Sequence, residues 1–266
     1  MKVYFVFSKN FGDGMNWFVF KHFIPTNGPH QNHHIIFQQP RVTRQKETEP
    51  CLFGVGSIIG AIPHDKEYDV ICGSGFISDK GPVEAVKEII SVRGPRTRQR
   101  FLDAGIHCPA IYGDLGLLMC RLAPPFASIS KKYKVGLVPH YLDYKLPTVL
   151  NAISRNAGTW TNIDILQADA PYNFLRELQE CDLILSSSLH GIIIADSYGI
   201  PAHHIVLSDN VVGGEFKFRD YYESVGRDYY TVDIAGDIEA QCKPYTLKFD
   251  IDGYYNYIKQ KLAVYK

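Results

Sequence analysis

The stretch that decides the fold is Asp182-Leu-Ile-Leu-Ser-Ser-Ser-Leu-His-Gly-Ile-Ile-Ile-Ala-Asp-Ser-Tyr-Gly-Ile-Pro201. A short apolar run, typical of a buried strand, leads through three serines into an apolar helix. This order predicts that His190 lies at the carboxyl end of a strand and beside a helix N-terminus, where the serines can cap the helix. Ligands of open α/β sheets bind at that edge, and helix N-termini favour anions. The alternative is a buried, hydrogen-bonded histidine under a capped helix.

Strands and helices of this kind alternate through both halves of the chain. The predicted strands are Val3–Phe7, Leu52–Val55, Val70–Cys72, Ile89–Val92, Val135–Val138, Ile163–Leu166, Leu183–Ser186, His203–Leu207 and Tyr229–Val232. The predicted helices are Gly14–Phe23, Pro95–Ala104, Lys145–Ile153, Tyr172–Glu180, Gly191–Tyr198, Phe218–Val225 and Ile251–Val264. Such alternation in each half predicts an α/β protein with two open, mostly parallel sheets.

The two halves are predicted to join within 121–134. Pro124-Pro125 lies in this segment, and two prolines can continue neither a helix nor a central strand. We therefore expect one domain at 1–125 and a second at 126–266, with the last predicted helix packing back across them. The polar segment Gln38–Pro50 is predicted to be a surface loop.

Composition excludes several classes of protein. The chain has 266 residues, with 28 Lys and Arg against 28 Asp and Glu, so its formal net charge is zero and it carries no global footprint for nucleic acid or anionic lipid. The apolar runs are shorter than a membrane span, and the apolar run near the N-terminus is too short for a signal peptide. The six cysteines form no C-x-x-C pair, which predicts free thiols and no metal site. We expect a cytoplasmic protein.

A second candidate site residue is Arg93, in Ser91-Val-Arg-Gly-Pro-Arg-Thr-Arg98. A strand leads here into a helix with Pro95 at its first position. The planar guanidinium fork suits a carboxylate or a phosphate, whereas a solvated basic helix face is the alternative.

Further polar residues follow predicted strands or glycine turns. Asn10-Phe-Gly-Asp13 follows the first strand, Ser74 lies between two glycines after the third, and His140 follows the first strand of the second half. No complete G-x-G-x-x-G is present, so dinucleotide binding has little support. Lys217 follows Gly213-Gly214, which indicates a loop that folds over a ligand. The alternatives are glycines that merely end strands and a lysine that snorkels at the surface.

Taken together, these residues resemble the polysaccharide pyruvyltransferase family, in particular a short branch similar to succinoglycan-type exopolysaccharide pyruvyltransferases. The resemblance rests on Asn10–Asp13, Gly54–Ser57, Gly73–Gly75, Val92–Thr97, Gly113–Leu118, Gly136–Tyr141, Ser186–Pro201 and Lys217-Phe-Arg-Asp-Tyr221. These segments follow the family's order over most of the chain. Two features depart from the family: the chain is shorter than many members, and Ser188 stands where some members carry arginine.

The resemblance implies two Rossmann-like domains facing a cleft, as in GT-B glycosyltransferases, and transfer of pyruvate from phosphoenolpyruvate onto two sugar hydroxyls. It implies that His190 is catalytic, as an acid titrating near neutrality. The implied donor-binding residues are Arg93, Lys217, Ser188, Leu189 and Gly191. The implied acceptor-side or cleft-lining residues are Asn10, Asp13, Ser74 and His140.

We expect no metal, no cofactor and no nucleic acid, because the cysteines and histidines lack the spacing of metal ligands, the net charge is zero and pyruvate transfer requires neither a metal nor a nucleotide. The implied partners are phosphoenolpyruvate and a sugar acceptor, of which a lipid-linked oligosaccharide is one form, so peripheral attachment to the inner face of the membrane is one expected location. Two rival functions remain at this point. One is a nucleotide-sugar glycosyltransferase of GT-B type. The other is a non-catalytic sugar-binding protein that uses the 17 Tyr and 15 Phe residues as stacking platforms.

Overall fold

The structure, a computed structural model, describes residues 2–5, 10–24, 35–37, 49–61, 63–167 and 170–265. It contains two parallel five-stranded sheets, one in each half of the chain. The α/β class with two open sheets, predicted from the alternation of strands and helices, is confirmed.

The first sheet has the order β2-β1-β3-β4-β5. Its strands are β1 (Lys2–Phe5), β2 (Ile35–Phe37), β3 (Cys51–Phe53), β4 (Asp69–Cys72) and β5 (Glu88–Ser91). Every residue of the neighbouring strands β3 and β4 is buried, as expected for parallel strands covered on both faces. The carboxyl ends of these strands form one edge, from which the segments bearing Ser74 and Arg93 leave.

The second sheet has the order β10-β9-β8-β6-β7. Its strands are β6 (Tyr133–Val138), β7 (Trp160–Asn162), β8 (Cys181–Ser186), β9 (Ala202–Ile205) and β10 (Thr231–Val232). The central pair β6 and β8 aligns Val138 with Ser186, so both strands end at the same level. The segments bearing His140 and His190 therefore leave the sheet side by side.

Nine α-helices occur within the described residues, and most connect successive strands. They are α1 (Phe11–Phe23), α2 (Pro95–Asp103), α3 (Met119–Leu122), α4 (Pro147–Arg155), α5 (Pro171–Gln179), α6 (Leu189–Ser197), α7 (Phe216–Ser224), α8 (Ile238–Gln241) and α9 (Ile251–Leu262). Proline occupies the first position of α2, α4 and α5, where its missing N–H removes no helical hydrogen bond.

Two strand predictions differ from the structure. The strand predicted at Ile163–Leu166 is found three residues earlier, as β7, because the Asp164 carboxylate accepts a hydrogen bond from the Leu166 N–H (2.8 Å) and turns the chain. The strand predicted at Tyr229–Val232 shortens to β10, which pairs with β9 through only two residues. Residues 6 and 7 of the first predicted strand, and 38–48 of the predicted loop, lie outside the described residues.

The last helix returns to the first half of the chain. The Tyr254 hydroxyl donates to the Gly113 carbonyl (2.6 Å), and the Tyr257 hydroxyl donates to the Ile90 carbonyl of β5 (3.1 Å). The rings of Phe11, from the first half, and Phe174, from the second, stack with centroids 4.7 Å apart. The two halves consequently share one large apolar cluster.

The six cysteines are free thiols, four of them buried, as the sequence predicts. In the part of the chain that the structure describes, no helix combines the length and the apolar character needed to cross a membrane.

Candidate functional site

The predicted strand-to-helix junction around His190 is present. Strand β8 ends at Ser186, and α6 begins at Leu189, with Ser188 in extended backbone conformation at the N-cap position. The Ser188 side chain makes no capping hydrogen bond, contrary to the expected role of the serines. Instead, Ser186 Oγ accepts a hydrogen bond from the Ser188 N–H at 3.0 Å. His190 therefore projects from the first turn of a helix whose N–H groups are not capped by that serine.

The His190 ring lies against the start of α1. A Cβ atom added to Gly12 would lie 2.1 Å from His190 Nδ1, so only glycine permits this approach. The Nε2 atom is buried and has no hydrogen-bond partner among the described residues. The alternative of a hydrogen-bonded structural histidine therefore does not account for this atom, because a buried polar nitrogen without a partner is costly unless something binds it.

Burial, together with Arg93 and Lys217, lowers the pKa of His190 to about 3. The sequence-based expectation of a histidine that titrates near neutrality is thus wrong for the unliganded protein. The physical reason is that the imidazole is largely removed from water and lies within electrostatic reach of two cations, and both factors disfavour the charged ring.

Arg93 is completely buried just beyond β5. Its Nε donates to Asp220 Oδ2 (3.0 Å), Nη1 donates to Ser57 Oγ (2.6 Å), and Nη2 donates to the Phe76 carbonyl (2.7 Å). These bonds use three of the five guanidinium N–H groups, which leaves two for a ligand. The alternative of a solvated basic face is therefore wrong for Arg93.

Lys217 lies in the first turn of α7 and is only 7% exposed. Its Nζ donates to the Val212 carbonyl at 3.0 Å. Burial and the nearby Arg93 lower its pKa to about 8, although Asp13 opposes that shift. Lys217 is therefore not a snorkelling surface lysine. Together with Arg93 it supplies a second buried cation near the His190 imidazole.

His140 also lies within electrostatic reach of Lys217. Burial and Lys217 lower its pKa to about 4, opposed by Asp143. The backbone N–H of His140 donates to Ser187 Oγ (2.8 Å), and the Ser187 hydroxyl donates to the buried Asp143 carboxylate (3.1 Å). The Ser208 hydroxyl also donates to the Asp143 carboxylate. These hydrogen bonds connect the segments that follow β6, β8 and β9.

The other predicted site residues have defined structural contacts. Asn10 Oδ1 accepts a hydrogen bond from the Gly12 N–H (2.9 Å) and caps α1. Ser74 is fully buried, and its hydroxyl donates to the Gly56 carbonyl at 2.8 Å. The Leu189 side chain belongs to the apolar core. A Cβ atom at Gly191 would lie 2.4 Å from Ser186 Oγ, so this glycine serves the close packing of α6 on β8. Leu189 and Gly191 can therefore bind a ligand only through their backbone N–H groups.

Sequence reasoning missed the carboxyl groups around these side chains. Asp220 is completely buried and receives hydrogen bonds from Arg93 and from the N–H and hydroxyl of Thr97. Asp114 is also buried; burial raises its pKa to about 6, and Oδ2 has no partner in the described part of the chain. A signal for Asp220 was present, because it stands three residues after Lys217 and so shares a helix face with it.

A cavity of about 480 Å³ adjoins the site on the side of the second sheet. Its lining includes Ser187, His204, Gly213, Gly214 and Val212, whose carbonyl accepts from Lys217. A larger cavity of about 1020 Å³, lined in part by Lys134 and Trp160, contains none of the predicted site residues. Among the described residues, no cluster of three or more His, Cys, Asp or Glu side chains could hold a metal ion.

Comparisons with known proteins match the part of the chain that contains most of these site residues. The family model described as polysaccharide pyruvyl transferase matches residues 10–209, which include Arg93, His140 and His190. The chain is 27% identical over 257 residues to the succinoglycan biosynthesis protein ExoV of Rhizobium meliloti (strain 1021), covering 91% of this chain and 71% of that protein.

A second relative is the uncharacterized protein L143 of Acanthamoeba polyphaga mimivirus. It is 32% identical over 181 residues, which cover 66% of this chain and 61% of L143. No solved structure matches the chain. Since the family model covers three quarters of the sequence, including the junction that carries His190, the chain belongs to the polysaccharide pyruvyl transferase family of enzymes.

Proposed function

We propose that this enzyme transfers pyruvate from phosphoenolpyruvate onto two hydroxyls of a sugar in a cell-surface polysaccharide precursor, forming a cyclic ketal and releasing phosphate. One observation carries the proposal: the unpartnered, buried Nε2 of His190 lies at a helix N-terminus within electrostatic reach of two buried cations, Arg93 and Lys217. The name of the relative ExoV, a succinoglycan biosynthesis protein, supports an exopolysaccharide as the product.

Phosphoenolpyruvate fits the charges of this site. It carries a carboxylate and a phosphate close to an alkene, so its binding requires cations and N–H donors within a small space. Arg93 retains two N–H groups and Lys217 retains two of its three, while α6 contributes the N–H groups of its first turn. Both cations are already desolvated, so an anion that pairs with them recovers interactions lost on burial.

The chemistry needs one proton delivered to C3 of the donor. A sugar hydroxyl attacks C2 while the protonated His190 gives its proton to C3, which converts the alkene into a methyl group. The proton released by this hydroxyl passes to the neutral imidazole and restores its protonated form. The C2–O bond to phosphate then breaks and phosphate leaves. The second hydroxyl attacks the same carbon to close the ketal, and its proton leaves with the phosphate. We assign protonation of C3 to His190.

The low pKa of His190 in the unliganded protein is compatible with this role. The lowering comes from burial and from two neighbouring cations. A bound carboxylate and phosphate compensate those cations and place negative charge beside the ring, which raises the pKa toward neutrality. In this scheme the histidine becomes an acid only when the donor is present.

The proposal extends to the arrangement of the halves. The segment 1–125 forms a Rossmann-like domain on the acceptor side, and 126–266 forms a second one on the donor side, facing it across a cleft as in GT-B enzymes. Asn10, Asp13, Ser74 and His140 belong to the walls of that cleft. The acceptor is a sugar, with a lipid-linked oligosaccharide as the form to test first, and the reaction requires no metal or cofactor.

The test is incubation with phosphoenolpyruvate and an array of galactose, glucose and N-acetylhexosamine glycosides, followed by measurement of free phosphate and product mass. We expect phosphate release that depends on one of the sugars. The matched control is His107→Gln, since His107 is an exposed histidine that takes part in none of the described contacts of the site. Release of nucleotide from a sugar nucleotide instead would identify a glycosyltransferase. Sugar binding without any turnover would identify a binding protein.

A further inference from the structure

One surface near the site combines exposed and half-buried aromatic rings with cations that form no ion pair among the described residues. Its six residues are Trp17, Phe18 and Lys21 on α1, Phe126 before β6, and Tyr172 and Arg176 on α5; we call it the aromatic–basic patch. Trp17 is 49% exposed and Tyr172 is 55% exposed. Large exposed aromatic side chains that lie together indicate an interaction surface.

The patch is continuous across the two halves of the chain. The rings of Phe18 and Tyr172 meet edge to face with centroids 6.0 Å apart, and those of Tyr172 and Phe126 meet likewise at 6.4 Å. Trp17 lies next to Phe18 along α1. Phe11 and Phe174, from the same helices α1 and α5, stack on each other, so the two helices that carry most of the patch are packed together.

Each cation of the patch lies over an aromatic ring. Lys21 Nζ is 5.6 Å from the centre of the Trp17 ring, and Arg176 Cζ is 5.2 Å from the centre of the Phe126 ring. Neither forms an ion pair with a carboxylate among the described residues. Lys259 adds charge at the border, since it helps to lower the pKa of His22. The chain as a whole is neutral, so this local positive charge is not part of a general basic character.

We propose that the aromatic–basic patch docks the enzyme on a membrane surface that contains anionic phospholipid. Tryptophan and tyrosine favour the boundary between headgroups and acyl chains, while lysine and arginine favour anionic headgroups. A sugar-stacking platform fits less well, because a cation covers one face of the Trp17 and Phe126 rings.

The position of the patch relates it to the site. Gly12, against which His190 packs, and Trp17 are separated by five residues of one helix, or about 7.5 Å along its axis. Docking through the patch would hold the site within reach of an acceptor whose lipid anchor stays in the membrane. The inference adds to the proposed function, but binding to lipid is independent of turnover and is measured without either substrate.

The experiment is co-sedimentation of the full chain with vesicles, either an equimolar mixture of phosphatidylcholine and phosphatidylglycerol or phosphatidylcholine alone. We expect binding to the mixed vesicles and weaker binding to the neutral ones. A basic residue near an anionic surface contributes roughly fivefold to partitioning, so the double variant Lys21→Gln, Arg176→Gln should bind about 25-fold more weakly. Trp17→Ser combined with Tyr172→Ser should lose at least about tenfold.

The matched control is Lys66→Gln with Lys80→Gln, which removes the same charge from exposed positions outside the patch. The control should bind like the wild type, and both charge variants should keep the wild-type melting temperature because their side chains are exposed. The aromatic variant loses the contacts of Tyr172 with Phe18 and Phe126, so its binding is measured below its own melting temperature. Absence of binding to the mixed vesicles would overturn the proposal. Equal losses in the patch and control variants, or binding of soluble polysaccharide by the patch in place of vesicles, would overturn it as well. Turnover of a water-soluble acceptor tests the proposed function separately.

Discussion

Replacing Asp220 with asparagine tests how the site holds its central arginine. Asp220 Oδ2 accepts from Arg93 Nε (3.0 Å) and from Thr97 Oγ1 (2.7 Å), and Oδ1 accepts from the Thr97 N–H (2.9 Å). Asparagine has the same shape but only one oxygen. In either orientation its amide NH₂ faces an N–H donor, and Arg93 loses its counterion.

The structure allows the size of the effect to be worked out. Arg93 and Asp220 are both fully buried, and breaking a buried pair by removing one partner costs about 3–5 kcal/mol of unfolding free energy. A second pair, Arg96 in the first turn of α2 and Glu223 on α7, lies three residues further along each segment, but its side chains are 39% and 40% exposed. Glu223→Gln should therefore cost only about 0–1 kcal/mol, which makes it the matched control.

Denaturant unfolding, with and without phosphoenolpyruvate, measures both parts of this prediction. The donor should stabilise Asp220→Asn more than it stabilises the wild type, because the bound anion replaces the missing charge beside Arg93. Glu223→Gln should show the wild-type increment. The reasoning is refuted if Asp220→Asn unfolds within about 1 kcal/mol of the wild type, or if the donor stabilises the wild type and the variant equally.

Four further predictions follow from the site. His190→Gln should lower kcat by roughly 10²–10⁴ with a smaller effect on the affinity for phosphoenolpyruvate, since glutamine can bind phosphate but cannot supply a proton. A well-folded variant with near-wild-type kcat would show that His190 is not the acid, and His140 would be the next candidate. The affinity for phosphoenolpyruvate, measured by calorimetry, should fall as pH rises through about 8, where Lys217 of the unliganded protein loses its proton. Lys217→Arg should abolish this pH dependence. A pH-independent affinity in the wild type would contradict the assignment of Lys217. Between pH 8 and 10.5 the unliganded wild type should gain stability relative to Lys217→Arg, because the folded state releases the Lys217 proton first, while the four thiols with raised pKa values, which act in the opposite direction, are common to both proteins. EDTA should leave turnover unchanged, and recovery of lost activity only by a divalent ion would argue against a metal-free site.

The sequence predicted those parts of the fold and site that depend on local patterns. The junction at Ser186–His190 combines an apolar strand, a polar turn and an apolar helix, so its type and position are determined within a few residues. The start of α2 at Pro95 follows from the fixed geometry of proline in the same way. These two junctions carry His190 and Arg93, which is why both residues could be named as candidates.

What the sequence did not predict depends on contacts between distant residues. The partnership of Arg93 with Asp220 joins positions 127 residues apart, and no local pattern indicates it. The pKa of His190 was misjudged for the same reason, because the cations that lower it come from two other elements of the fold. The close approach of Gly12 to His190 likewise becomes visible only when α1 of the first half packs beside α6 of the second.

The most direct test of the proposed chemistry is turnover of phosphoenolpyruvate with a sugar acceptor in D₂O, followed by NMR of the product. Protonation of C3 by the enzyme predicts a pyruvate ketal whose methyl group carries one deuterium, formed together with one equivalent of phosphate. His190→Gln should form this product slowly, whereas His107→Gln should form it at the wild-type rate. A product that keeps vinyl protons would contradict the account, because an enolpyruvyl ether has the same mass as the ketal but has gained no proton at C3.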